Sequence, residues 1–155
     1  MSRDAQLTLP ASMASWPRAQ GFVEAFCARH RVGRHDMLRL TLVAEELFTN
    51  AVEHGHGGDA DAPVRLALAF EPGRLRLLVE DRAPPFDPIA HARSAPPEHA
   101  VELDARKVGG LGLLLVEQLA AELRYAREHG CNRLWVTLAI ESAAGDADQG
   151  PALPR

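Results

Sequence analysis

Cysteine is scarce in this chain: only Cys27 and Cys131 occur, and they form no C-x-x-C pair. That leaves no material for a disulfide framework or a structural zinc site, so both thiols are expected to be ordinary buried side chains. Basic charge is also in short supply. Seventeen lysines and arginines stand against 21 aspartates and glutamates, a formal charge of −4, which is not the footprint of a protein that binds nucleic acid or an acidic membrane surface. A protein or small-molecule partner is expected instead. No apolar run approaches the roughly 18 to 20 residues of a membrane span, and the opening "MSRDAQLTLP" lacks the apolar core of a secretory signal. A cytoplasmic location is the expectation.

What is present is enough apolar material for one core: 155 residues, 46% hydrophobic, suit a single domain over 1–140 followed by a polar, disorder-prone tail over 141–155. "QLTLP" alternates like an edge strand that Pro10 ends. From about Ser15 to His30, Trp16, Ala19, Val23, Phe26 and Cys27 recur at helical spacing, and Gly33 supplies a break. Asp36 reads as the N-cap of a second helix whose apolar stripe carries Leu38, Leu42, Leu47 and Ala51 and which stops at Gly55, Gly57 and Gly58. "VRLALAF" and "RLRLLVE" alternate with period two around "EPG", a hairpin. Residues 82–109 show no clear periodicity, a length that in a compact domain usually signals function. "LGLLLVEQLA" then reads as helix, and "ELRYARE" and "NRLWVTLAI" as strands. Trp16, Trp135 and the run Leu113 to Val116 are assigned to the core. The pattern predicts a two-layer α/β (α+β) sandwich, helices on one face of a mixed sheet whose other face is partly exposed.

Three stretches do not fit a purely structural account. Glu46, Asn50 and His54 are spaced four apart and would stack along one side of the second helix, a column that is costly to bury without partners. Asp81 ends a strand, where a carboxylate projects into a crevice. Gly109, Gly110 and Gly112 lie at the start of a helix, whose free N–H groups and dipole favour an anion such as phosphate. Each alone has a bland reading: a solvated partner for an arginine, a surface amide, a turn aspartate, glycines relieving a tight bend. Together they suit one ligand.

In order and spacing these stretches resemble the nucleotide site of the GHKL, or histidine kinase-like, ATPase superfamily. More narrowly, "EELFTNAVEHG", "DRAPPFDP" and "GGLGLLLVEQLA" are similar to the bacterial anti-sigma factors that are also serine-protein kinases, over about residues 7 to 140. The resemblance implies a Bergerat-type fold with an ATP lid over about 86–109, and ATP and Mg²⁺ as cofactors. On that footing Glu46 is the general base and Asn50 the metal ligand. Asp81 accepts from the adenine amine, and Gly109, Gly110, Leu111, Gly112 and Leu113 cradle phosphate. Arg106 or Lys107 meets phosphate charge, the choice between them being open. His54, Ala83 and Asn132 complete the expected nucleotide contacts. His56 is read as exposed loop. Ala83 stands where the family commonly has glycine, which would strain the backbone if a positive φ were required there. The implied activity is phosphorylation of a serine or threonine on a small antagonist protein of STAS type by an ATP-dependent kinase. The same protein would hold a sigma factor or other regulator inactive, as a homodimer. The alternative is a non-catalytic ATP-binding adaptor that sequesters such a regulator.

Overall fold

The computed structural model describes residues 4–55, 60–94 and 109–141. Strand β1 (Asp4–Pro10) leads through a short 3-10 turn into helices α1 (Trp16–Arg29) and α2 (Arg34–Asn50). The hairpin β2 (Pro63–Glu71) and β3 (Arg74–Asp81) follows, then helices α3 (Pro88–Ser94) and α4 (Gly109–Leu119) and the closing hairpin β4 (Glu122–Glu128) and β5 (Cys131–Ala139). Pro72 and Gly73 turn the first hairpin, with Gly73 at φ 81, a value only glycine adopts without steric cost.

The five strands form one sheet in the order β1-β2-β3-β5-β4, and every hydrogen-bonded pair is antiparallel. The expectation of a mixed sheet is therefore corrected. Strands β3 and β4 do run parallel, as a strand–helix–strand crossover requires, but β5 lies between them and pairs antiparallel with both. Along each strand the residues alternate between faces. One face carries Leu9, Leu66, Leu68, Leu75, Leu77, Val79, Val136 and Leu138 against Val23, Phe26, Leu40, Val43, Leu47 and Phe48 of α1 and α2, all within one buried cluster. At roughly 25 cal/mol per Å² of apolar area, this burial is the dominant favourable term in folding.

Helix α2 buries Leu40, Val43, Ala44, Leu47 and Phe48, a stripe at spacings of three and four. Leu38 and Leu42 lie outside it, 53% and 36% exposed, so the apolar stripe is rotated from the expected one. Asp36 is likewise not the N-cap. Gly33 holds that position without a side-chain bond, and Asp36 in the first turn is buried, paired with Arg39 at 2.8 Å and accepting from the Glu141 N–H at 3.1 Å. Arg39 also donates to the carbonyls of Leu119 at 3.1 Å and Ala139 at 3.0 Å. It thereby ties the start of α2 to the end of α4, and the two helices run antiparallel. Of the run assigned to the core, Leu113 and Val116 are buried, whereas Leu114 and Leu115 are 37% and 39% exposed. Trp135 also departs from that assignment: it faces outward, with the Arg124 guanidinium 4.0 Å from its ring centre. Trp16 packs at the margin of the core against Phe48.

The segment expected to lack periodicity contains α3. Asp87 caps it, accepting from the N–H groups of Ile89 at 2.9 Å and Ala90 at 3.2 Å, and Pro88 occupies the first position, where a missing N–H costs nothing. Arg93 of α3 pairs with Glu117 of α4 at 2.8 Å. Residues 95–108 of the expected lid, with Arg106 and Lys107, and the tail 142–155 lie outside the described residues.

Candidate nucleotide site

The inner face of the sheet is apolar until its last row. Val79 pairs in register with Leu134, and two residues on, Asp81 pairs with Asn132. Strand alternation thus places a carboxylate and an amide side by side at the end of an apolar ladder, facing the helix layer. Both are buried, Asp81 to 8% exposure and Asn132 to 6%. A cleft opens above them. Leu47, Asn50 and Ala51 wall it from the helix side, Val79, Leu134 and Tyr125 floor it, and Phe86 and Pro88 close one flank.

Asn50 is the last residue of α2 before a π-helical turn over Ala51–Gly55. A single π turn widens the helix and is frequent at functional sites. It also ends the regular four-residue stacking, so the expected column is set by helix geometry only from Glu46 to Asn50. The side chain of His54, and His56 altogether, lie outside the described residues. Asn50 is 6% exposed, and its Nδ2 is the one buried side-chain nitrogen or oxygen among the described residues with no hydrogen-bond partner. An orphaned buried donor costs about 1 to 3 kcal/mol, a cost that a ligand acceptor in the cleft would remove.

One turn before Asn50, Glu46 is half-buried and packs onto the first turns of α4. A Cβ added at Gly112 would stand 1.8 Å from Glu46 Oε2, so only glycine admits the carboxylate there. Burial pushes the Glu46 carboxyl above its ordinary value, and the charges of Glu45 and Glu53 push it further in the same direction. No described cation pairs with it. The sequence placed Gly109 and Gly110 at the helix start, and both fall in the first turn of α4, where N–H groups lack intrahelical acceptors. The side chain of Leu111 lies outside the described residues, and Leu113 is buried in the core at 1% exposure.

At the other end of the cleft, Asp81 Oδ1 accepts from the Ala83 N–H and from Asn132 Nδ2, each at 2.9 Å. Asn132 Nδ2 also donates to the carbonyls of Pro84 at 3.0 Å and Ala83 at 3.3 Å, while its Oδ1 accepts from the Phe86 N–H at 3.1 Å and the Tyr125 hydroxyl. Arg127 donates to the Ala83 carbonyl at 2.6 Å. Among the described non-glycine residues only Arg31 and His129 have positive φ, so Ala83 carries no such strain. It acts through its backbone, with a side chain 2% exposed. Tyr125, Phe86 and Arg127 were not legible as site residues. Their roles depend on cross-strand register and on the path of the chain after β3.

The residues present fit a metal–nucleotide group. Asn50 offers a neutral oxygen of the kind Mg²⁺ accepts beside phosphate and water, together with a donor that lacks an acceptor.

A model of the histidine kinase-like ATPase domain matches residues 9–138 of the chain. The serine-protein kinase RsbW of Bacillus licheniformis is 33% identical over 98 residues, 61% of this chain and 60% of that protein. RsbW of Bacillus subtilis is 32% identical over 94 residues, covering 59% and 58%, and RsbW of Staphylococcus epidermidis 25% over 127 residues, covering 81% and 80%. The chain thus spans about three-fifths of the length of the two Bacillus relatives. Among solved structures, the RsbU and RsbW domains from Mycobacterium tuberculosis superpose with a TM-score of 0.62 at 20% identity, over 88% of this chain and 32% of that one. The SiaB-SiaC complex from Pseudomonas aeruginosa gives 0.62 at 13% identity, over 90% of each chain. The matched span runs from Leu9 in β1 to Leu138 in β5 and takes in both ends of the cleft, and the chain belongs to the family of histidine kinase-like ATPase domains.

Proposed function

We propose that this protein is an ATP- and Mg²⁺-dependent serine/threonine-protein kinase that also acts as an anti-sigma factor, and that it phosphorylates a small antagonist protein in a partner-switching system. The observation that carries this reading is Asn50: a buried amide with an unpartnered donor, one helical turn from a half-buried carboxylate and across a cleft from Asp81. The kinase names of the sequence relatives support it.

In this reading Asp81 accepts a hydrogen bond from the exocyclic amine of adenine, a contact that guanine would meet with an oxygen. The N–H groups of Gly109, Gly110, Leu111 and Gly112 donate to phosphate, and Arg106 or Lys107, close by in sequence, adds cationic charge. Asn50 Oδ1 would hold Mg²⁺, which when bound neutralises phosphate charge, and Nδ2 would donate to a phosphate oxygen. His54, on the turn that follows, adds a polar group near the phosphates. The antagonist's serine Oγ attacks the γ-phosphorus as the bond to the bridging oxygen breaks and ADP leaves. Glu46 takes the hydroxyl proton, and its raised pKa makes it a better acceptor at neutral pH than an ordinary carboxylate. The phosphoserine adds about −1.5 to −2 charges to the antagonist, enough to disrupt a docked interface.

The folded unit is residues 1–140, the setting is the cytoplasm, and the protein works as a homodimer whose regulated target is a sigma factor or another regulator. The adaptor alternative draws no support from Ala83, whose backbone has no positive φ to strain it. The test is transfer of labelled γ-phosphate from ATP to a cognate STAS-type antagonist. Transfer that needs Mg²⁺ is expected; tight ATP binding without any transfer would establish the adaptor instead.

A further inference from the structure

Asn132 has no atom left to read a ligand. Its orientation is set by groups that cannot exchange roles: the Phe86 N–H is an obligatory donor and must face Oδ1, and the Asp81 carboxylate and the Pro84 carbonyl are acceptors and must face Nδ2. The Tyr125 hydroxyl completes the Oδ1 side. Burial raises the Tyr125 pKa, which keeps the phenol a donor. Asp81 is fixed in turn. Two N–H groups converge on Oδ1, so the carboxylate cannot turn about its last bond without losing both. Its other oxygen, Oδ2, receives no hydrogen bond from any described residue, and Asp81 lines the cleft.

We propose that Asn132 and Tyr125 are positioning residues for base selection: by pinning Asp81 Oδ1 they leave Oδ2 as the one acceptor of that carboxylate still open to a ligand, which favours a purine bearing an amine at C6 over one bearing a carbonyl. The proposal rests on the nucleotide-binding reading above and names what enforces its specificity. It also explains why an amide suits this position in β5. A carboxylate there would repel Asp81, and an aliphatic side chain would take from the Tyr125 hydroxyl the acceptor that Asn132 gives it.

The relay makes an unusual demand on the variant Asp81→Asn. The new side chain has one oxygen and one NH₂, and the two converging N–H groups hold the oxygen where Oδ1 was. The NH₂ is therefore driven into the cleft, where it matches a carbonyl and opposes an amine. Affinities for ATP and for inosine triphosphate, measured with Mg²⁺ on the full chain, test this. The protein itself is expected to prefer ATP by about tenfold or more, the scale of one hydrogen bond to a charged group. Asp81→Asn is expected to invert the preference. Asn132→Ala, which frees the carboxylate to turn but leaves it acceptor-only, is expected to lower the ATP to inosine triphosphate ratio several-fold, and to weaken the inversion when combined with Asp81→Asn. Tyr125→Phe, which keeps the ring, is expected to lower the ratio roughly threefold, as loss of a weaker neutral hydrogen bond would. A purely structural role would lower both affinities together, so an unchanged ratio in Asn132→Ala and Tyr125→Phe overturns the proposal while leaving nucleotide binding intact. If Asn132→Ala does not fold, Tyr125→Phe decides alone. If the unaltered protein binds neither nucleotide, the nucleotide-binding reading fails and the relay falls with it.

Discussion

Glu46 and Glu80 are two partly buried carboxylates with opposite surroundings. Glu80, on the outer face of β3, is clamped by Arg65 at 3.2 Å and Arg133 at 2.6 Å, and hydrogen bonds led by Arg65 hold its pKa below the ordinary value. Glu46, on the inner side, has acidic neighbours and no described cation, and burial holds its pKa up. The outer face satisfies its charges within the chain. The inner face leaves the Glu46 carboxylate disfavoured and the Asn50 Nδ2 unpartnered within one turn of each other. Structural charge is arranged for the protein's own sake, whereas unsatisfied groups of the inner kind are characteristic of functional sites.

Four experiments would break or sharpen that contrast. The largest effect is expected from Glu46→Gln, which removes the proposed base and should lower phosphotransfer by about 10²- to 10⁴-fold. The same change should raise the melting temperature at pH 7. A carboxyl whose folded pKa lies above its unfolded value, near 4.5, contributes stability below that value and loses it as pH rises through the folded pKa. The gain should therefore vanish in a melt recorded below the ordinary value, and a Glu46→Gln protein less stable at pH 7 would contradict the assignment.

Next is Gly112→Ala. The added methyl occupies the place of Glu46 Oε2. Because that atom ends a flexible side chain, the fold should yield cheaply while the base is displaced, lowering transfer by up to about a hundredfold. Retained circular dichroism with lost transfer is the expected pair of readings. Third, Asn50→Leu replaces an orphaned amide with an apolar group of similar size. It should stabilise the free protein by roughly 1 kcal/mol and weaken Mg²⁺-dependent ATP binding roughly ten- to a hundredfold; denaturant melts and titration calorimetry read the two effects. Smallest is Glu80→Gln on the outer face. It should cost under about 1 kcal/mol at pH 7, with no change in transfer. The Glu80 contribution is present above the ordinary carboxylate value and is lost as pH falls through the depressed one.

The sequence was most legible where local rules decide. The hairpin from Pro63 to Asp81 follows its alternation and its Pro-Gly turn, and β1 is the edge strand its proline suggested. Helix α3 was hidden inside a segment read as irregular, although Asp87 followed by Pro88 is an N-cap and first-position signal that could have revealed it. The phase of α2 was misjudged because leucines occur on two of its sides, and only packing selects Leu40 and Leu47 over Leu38 and Leu42. Glu46, Asn50 and Asp81 were readable as odd polar residues in apolar patterns. Tyr125 was not, since "ELRYARE" gives no hint that its hydroxyl meets Asn132 across the strand pair. Likewise, the mixed sheet was a topological guess that no single stretch of sequence decides.

The placement of β5 has a bearing on how this protein comes into being. Asn132 lies 51 residues from the aspartate it orients, and its strand is the last in the sheet to leave the ribosome. Until then β3 and β4 have no bridge between them, and both expose unpaired edges to neighbouring nascent chains. The pocket is thus completed only once β5 has joined the sheet, and a chain broken off before β5 would emerge adhesive and without a finished pocket.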